Sequence, residues 1–347
     1  MPEHVSFAKI SRRPPLGRNS MDGRFNFAIA VLVAAALGLS SLTSRAQDNY
    51  PNRNITIVVG FAAGGTSDII ARLLGQKITE YTGANVIIEN IPGAASMTAT
   101  EKVARATPDG YTLYMPSSTP FATNPNFYRK LRYSFDDFEP VILVARVPLA
   151  FDVRKDFPAA TVQEFIDYAR KQPNGVTIAT PGRGSVGEIV NGMARGILNI
   201  NIQDVPYRGS TPAVADLLKG VIDAYFDAIS SSIPLYQSGN LKMLAITGRN
   251  RSPGTPNVPT LIELGYKDFM LENVYSIVAP RGTPAPVVEK LNALIRKAMD
   301  EPKFREVLLA QGVVPEPSTP AELRAVITQD YEWNASMAKR FDIKPIE

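Results

Sequence analysis

The residues best placed to do chemistry are a run of glycines and hydroxyls, Gly60-Phe-Ala-Ala-Gly-Gly-Thr-Ser67. An apolar β-branched stretch precedes it from Ile55, and an apolar-periodic stretch follows it from Ile69. That order reads as a strand, a loop and a helix N-terminus. Glycines 60, 64 and 65 let the backbone approach a ligand closely, and a helix starting near Ser67 points unpaired N–H groups and a partial positive charge into the same space. The chemistry is anion binding. A glycine turn between strand and helix is also how any α/β chain turns a corner, so the loop alone leaves both readings open. It lacks the P-loop lysine, and its glycine spacing does not match the dinucleotide fingerprint.

What the 347-residue chain lacks narrows the chemistry further: it has no cysteine and one histidine, His4. A basic segment (Arg12, Arg13, Arg18, Arg24) precedes the apolar run Phe27–Leu39 and then Ser44-Arg-Ala46, which reads as a signal peptide, residues 1–46, with Met21 as an alternative start. Without it, 31 of 37 Lys/Arg and 31 of 33 Asp/Glu remain, so the formal charge of +4 belongs to the leader and is no argument for nucleic-acid binding. His4 leaves with it. No Ser-His or Cys-His nucleophile, histidine base or His/Cys zinc site can then be built, and neither metal nor cofactor is expected. Without a lipobox cysteine, the expected location is free in the periplasm.

The elements that must position the loop follow from alternation. From Ile55 on, β-branched runs and helical stretches alternate, which points to parallel α/β sheets. Strands are expected at 85–89, 111–115, 176–179, 202–206, 224–226 and 242–247. Helices are expected at 69–81, from the second turn to 106, to 197, at 211–219, 286–299, 303–311 and 320–339. Buried runs at 138–148 and 274–280 read as two crossings between domains, giving domain 1 as 47–147 plus 275–347 and domain 2 as 148–274. Ligands of open α/β sheets sit at the carboxyl ends of strands. Loops 60–67, 90–96 and 116–119, with Ser117 and Ser118, should therefore form one wall. Loops 180–185, 207–210 and 227–232 should form the other, around a cleft that closes by hinging.

Six ordered motifs, Phe61-Ala-Ala-Gly-Gly-Thr-Ser-Asp68, Glu89-Asn-Ile-Pro-Gly-Ala94, Pro108-Asp-Gly-Tyr-Thr-Leu113, Tyr133-Ser-Phe-Asp-Asp-Phe-Glu-Pro-Val141, Val205-Pro-Tyr-Arg-Gly-Ser210 and Ala279-Pro-Arg-Gly-Thr-Pro284, span essentially the whole chain after the leader. Together they resemble the substrate-binding proteins of tripartite tricarboxylate transporters, the Bug family. The resemblance implies a two-domain periplasmic-binding-protein fold of type II that closes on a small organic carboxylate and delivers it to the transporter's membrane subunits. It also implies ligand contacts from Gly64, Gly65, Thr66 and Ser67, from Pro92, Gly93, Ala94 and Ala95, and from Gly184, Ser185, Tyr207, Gly209, Ser210 and Asp227. The protein is expected to be a monomer and not an enzyme. The competing readings are an enzyme using Asp227 or Glu188 as base, and a ligand sensor.

Several residues carry two readings. Glu188 stands where many members have histidine; Ser185-Val-Gly-Glu188 fits a capping box, and the alternative is a contact to a ligand amine. Arg183 and Arg208 are rim arginines or a clamp on a second carboxylate. Phe61 and Tyr207 sandwich the ligand or pack inward. The Asp136-Asp137 pair and Ser230–Ser232 read as turn or cap residues, and Trp333 as core. Val274-Tyr-Ser276 departs from the family's Trp-Tyr-Gly.

Overall fold

The computed structural model describes residues 50–346, so the expected leader lies outside it. In order the elements are β1 (Ile55–Val59), α1 (Thr66–Thr82), β2 (Val86–Asn90), α2 (Met97–Ala104), β3 (Thr112–Met115), α3 (Asn124–Phe127), β4 (Phe138–Arg154), α4 (Val162–Arg170), β5 (Val176–Thr180) and α5 (Val186–Leu198). Then come β6 (Ile202–Pro206), α6 (Ser210–Lys219), β7 (Ala224–Ala228), α7 (Ile229–Gln237), β8 (Leu241–Ile246), β9 (Glu272–Pro280), α8 (Ala285–Asp300), α9 (Pro302–Ala310), β10 (Val314–Pro315) and α10 (Pro320–Arg340). Most lie within a few residues of the expected positions. Helix α4 is an addition. Thr161 caps it by accepting the Glu164 N–H at 3.2 Å, and it buries Val162, Phe165, Ile166 and Ala169.

Strand order is β2-β1-β3-β9-β4-β7-β5-β6, with β8 and β10 also on β4. Each half holds three parallel strands, β2-β1-β3 and β7-β5-β6. The long strand β4 serves both: it pairs with β9 from Phe138 to Pro148, then with β7 and β8 from Leu149 to Arg154. The change of partner falls at Pro148/Leu149. Beside it the buried Thr247 hydroxyl accepts the Leu149 N–H at 2.9 Å and donates to the Leu271 carbonyl at 2.5 Å, tying β4 to the segment that leads into β9.

Each lobe has its own aromatic core. In the first, Phe121 lies 5.0 Å from both Phe135 and Phe138; in the second, Phe151 stacks on Phe226 at 4.3 Å. Burying each such ring stabilises the fold by roughly 1.5–3 kcal/mol. After α10 the chain crosses onto the second lobe. Phe341 and Ile343 occupy the notch that Gly196 and Gly192 leave on α5, and the Ile346 N–H donates to the Phe127 carbonyl at 2.7 Å.

Candidate ligand-binding site

Four helices begin at one cavity of about 40 Å³. Gly65, Thr66 and Ser67 enter its wall from the start of α1, Val186 from α5, Ser210 from α6 and Ala228 from the residue preceding α7. None of the four has a side chain capping its first turn. Their N–H groups and partial positive charges are therefore available to a bound anion, while no lysine or arginine among the described residues lines this chamber.

The first loop is held from behind. Gly64, at φ +83°, donates its N–H to Asp68 Oδ2 at 2.9 Å, and Arg72 grips both carboxylate oxygens of Asp68 at 2.9 Å. Burial works to raise the Asp68 pKa, but the Arg72 and Gly64 hydrogen bonds prevail and hold it below the usual range. Gly60 is required where β1 meets the second loop, because a Cβ there would lie 1.7 Å from Ser96 Oγ. In that second loop Ala94, Ala95 and Ser96 take φ values of 46°, 47° and 71°. Three successive left-handed non-glycine residues cost on the order of 1–3 kcal/mol each. Asn124 Nδ2 holds the conformation by donating to the Ala95 carbonyl at 3.0 Å, and Asn90 Nδ2 ties the two loops by donating to the Phe61 carbonyl at 3.1 Å.

On the opposite wall, Ser210 Oγ donates to Asp227 Oδ1 at 2.5 Å. Asp227 is 1% exposed, and its Oδ2 is buried without a hydrogen-bond partner. Burial pushes its pKa up to about 7, against donors around it, Ser210 foremost, that work to lower it. An outer cavity of about 130 Å³ shares Phe61 and Pro181 with the inner one and is lined further by Ala94, Ala95, Arg183 and Tyr207. The lobes touch across the cleft. Thr211 Oγ1 donates to the Ala63 carbonyl and the Tyr128 hydroxyl to the Arg183 carbonyl, both at 2.7 Å. This is a closed arrangement.

Residues 70–340 match the family described as the tripartite tricarboxylate transporter family receptor. The chain belongs to that family. The receptor is similar to the periplasmic binding protein BugD, at 33% identity and a TM-score of 0.81, covering 86% of this chain and 100% of that one. It is similar to R. palustris Rpa4515, solved with adipate, at 31% identity and a TM-score of 0.83, over 86% and 100%. It is likewise similar to MatC (Rpa3494) from Rhodopseudomonas palustris, solved with malate, at 32% identity and a TM-score of 0.78, over 83% and 99%. The receptor thus has the two-lobed fold of periplasmic binding proteins. No helix among the described residues is long and apolar enough to cross a membrane.

Of the receptor's expected contact residues, Phe61, Gly65, Thr66, Ser67, Ser117, Ser210 and Asp227 meet at the inner cavity. Gly93, Ala94, Ala95, Arg183 and Tyr207 line the outer one, with Phe61 between the two. Gly64, Pro92, Ser118, Gly184, Ser185 and Gly209 line neither. Ser118 is engaged with β9, where its N–H donates to Asn273 Oδ1 at 3.1 Å and its hydroxyl accepts the Val274 N–H at 2.9 Å. Gly184 lies under the Tyr128 ring, and Gly209 meets Ala62 at the closed cleft. Arg208 lines the outer cavity and is exposed.

The capping box expected at Ser185 is replaced by another arrangement. Ser185 Oγ donates to the Gly182 carbonyl at 2.6 Å, while Glu188 accepts the Gly184 N–H at 3.1 Å, a backbone contact inside its own loop. Tyr207 donates to Asp216 at 3.0 Å. Asp137 forms a capping box with Ser134, and Asp136 pairs with Arg324 at 3.0 Å. Ser232 donates to the buried Asp152. Trp333, expected in the core, is only half-buried and lines a separate cavity with Arg146 and Asp330. Pro181 lines the inner chamber from the expected 180–185 loop, and Asn273, Tyr275 and Tyr225 line it without having been expected as ligand contacts. Strand pairing brings Asn273 and Tyr275 there from β9, and no local motif marks them.

Proposed function

We propose that the receptor captures a small organic carboxylate in the periplasm by closing its two lobes, 47–147 with 275–347 and 148–274, and hands it to the membrane subunits of a tripartite tricarboxylate transporter. The observation that carries this reading is the meeting of four uncapped helix N-termini at one chamber that no lysine or arginine among the described residues lines. Such a site holds an anion through neutral donors, which are weak enough in sum to let the ligand go when the lobes part. Adipate and malate in the related structures are carboxylates of the class this chamber suits. The protein acts as a monomer released from a leader, and catalysis is not part of its role: ligand should be recovered chemically unchanged. A thermal-shift screen of the purified protein against small carboxylates tests the reading, since binding to the folded state raises the midpoint by mass action. A stabilising acid supports it; stabilisation only by neutral or cationic compounds refutes it, and turnover of the bound acid refutes the transport role.

A further inference from the structure

We propose that residues 341–346 form a strap that seats on α5 when the lobes close and so tightens the hold on the ligand. This rests on the lobe closure proposed above and adds the element that keeps the lobes shut.

The strap has a fixed root. Leu323 and Ile327 of α10 are buried in the first lobe's core with Phe121 and Phe138. At the far end of α10, Asp342 takes a left-handed φ of +49° and the Ile343 N–H donates back to the Ala338 carbonyl at 2.9 Å, which stops the helix and turns the chain. Phe341 and Ile343 then lie against α5 of the second lobe, and the Ile346 N–H returns to the first lobe at the Phe127 carbonyl. Beside that return, the Tyr128 hydroxyl donates to the Arg183 carbonyl in the loop that leads into α5. The first lobe therefore clasps α5 at two places, its leading loop and its middle. Arg340 adds an ion pair to Asp268 at 2.6 Å, but both side chains are exposed and such a pair contributes little.

Two glycines make the seat. A Cβ on Gly192 would collide with Ile343 Cδ1, and one on Gly196 would lie 2.5 Å from Phe341 Cδ1. At both positions the three nearest atoms from outside the helix belong to Phe341 or Ile343. Glycine inside a helix lowers stability relative to alanine, so its presence twice on one face of α5 needs a reason, and the strap is what lies there. Helix α5 links the seat to the ligand. Its first residue, Val186, lines the inner cavity, whereas Phe341 and Ile343 line neither cavity. These two are positioning residues that act through α5. Parting the lobes carries α5 away from the root of α10, so the strap must unseat before the ligand leaves.

The test is titration calorimetry of the full-length purified protein with malate, succinate, adipate, citrate and glutamate, the tightest binder serving as probe. Gly192→Ala with Gly196→Ala fills the seat and leaves the strap unaltered, while Phe341→Ala with Ile343→Ala strips the strap and leaves the seat. Each pair should weaken the probe tenfold or more. All four changes together should weaken it by less than twofold beyond either pair, because both pairs remove the same contact. The ligand-free thermal midpoint of the glycine pair should not fall, since alanine suits a helix better than glycine. Unchanged affinity in the glycine pair overturns the proposal while leaving carboxylate capture standing, as do losses that multiply when the pairs are combined. A lowered ligand-free midpoint in the glycine pair also overturns it, because the segment would then be packed on α5 whether or not the lobes are closed. If none of the five acids binds the unaltered protein, carboxylate capture fails and the strap with it. The glycine pair decides the matter even if the stripped variant folds poorly.

Discussion

The Ser210 hydroxyl donates to Asp227 Oδ1 at 2.5 Å, while the other carboxylate oxygen of this chamber-lining residue is buried without a hydrogen-bond partner. Without ligand this arrangement should show in the pH dependence of stability. The folded-state pKa is raised from 3.8 to about 7, so the group's contribution is complete below about pH 3.8 and is lost as pH rises toward 7. Between pH 5 and 8 the group should cost the ligand-free protein about 2–3 kcal/mol of unfolding free energy, at ~1.4 kcal/mol per pH unit. Asp152, Glu188 and Asp330 are shifted the same way and are present in any variant. Denaturant unfolding of Asp227→Asn should therefore lose that much less across the interval than the unaltered protein; equal losses would contradict the burial argument.

Gly65 gives a cleaner block of the site. Its φ of −78° and ψ of 167° suit any residue, and an added Cβ meets nothing closer than the Ala62 carbonyl at 3.5 Å. The larger side chain of Gly65→Val then enters the inner cavity, which Gly65 lines. The variant should unfold within about 1 kcal/mol of the parent and show no thermal shift with any acid that stabilises the parent. Normal binding would remove the helix α1 N-terminus from the site.

Ala94 holds a left-handed conformation on an exposed position of the second loop. Ala94→Gly should relieve that strain and raise stability by about 0.4–1 kcal/mol, read by calorimetry as a higher midpoint. A lower midpoint would mean that the loop is not strained there.

Two hydrogen bonds close the cleft, Thr211 to Ala63 and Tyr128 to Arg183. Neither touches the inner cavity, yet each should favour the closed form by about 0.5–1.5 kcal/mol. Thr211→Val with Tyr128→Phe should weaken binding by roughly 5- to 100-fold. Small-angle scattering should show a larger radius of gyration at subsaturating ligand. Unchanged affinity would mean that these contacts form without contributing to closure.

Much of this architecture is legible from local pattern. The stretch from Ile55 to Ser67 reads as strand, loop and helix because β-branched residues, glycines and apolar periodicity act over a few residues. Chain order likewise places Ser67 and Ser210 at helix starts. What stays hidden depends on pairing across long separations. Asn273 and Tyr275 reach the chamber only because β9 pairs with β4 in a particular register, and Thr247 becomes a brace only once Leu149 and Leu271 lie beside it. Glu188 illustrates the limit of motif reading: the spacing from Ser185 fits a cap, but the φ of +75° at Gly184 turns that residue's N–H toward the carboxylate instead.

The most direct test of the account is a comparison of one ligand with its own amide. Titration calorimetry of the purified protein with the best-binding acid from the screen, and with the same molecule carrying a primary carboxamide in place of the carboxylate held at α1, isolates the charge that the helix N-termini are expected to hold. The account predicts that the carboxamide binds at least a hundredfold more weakly. Equal affinity for acid and amide would contradict it.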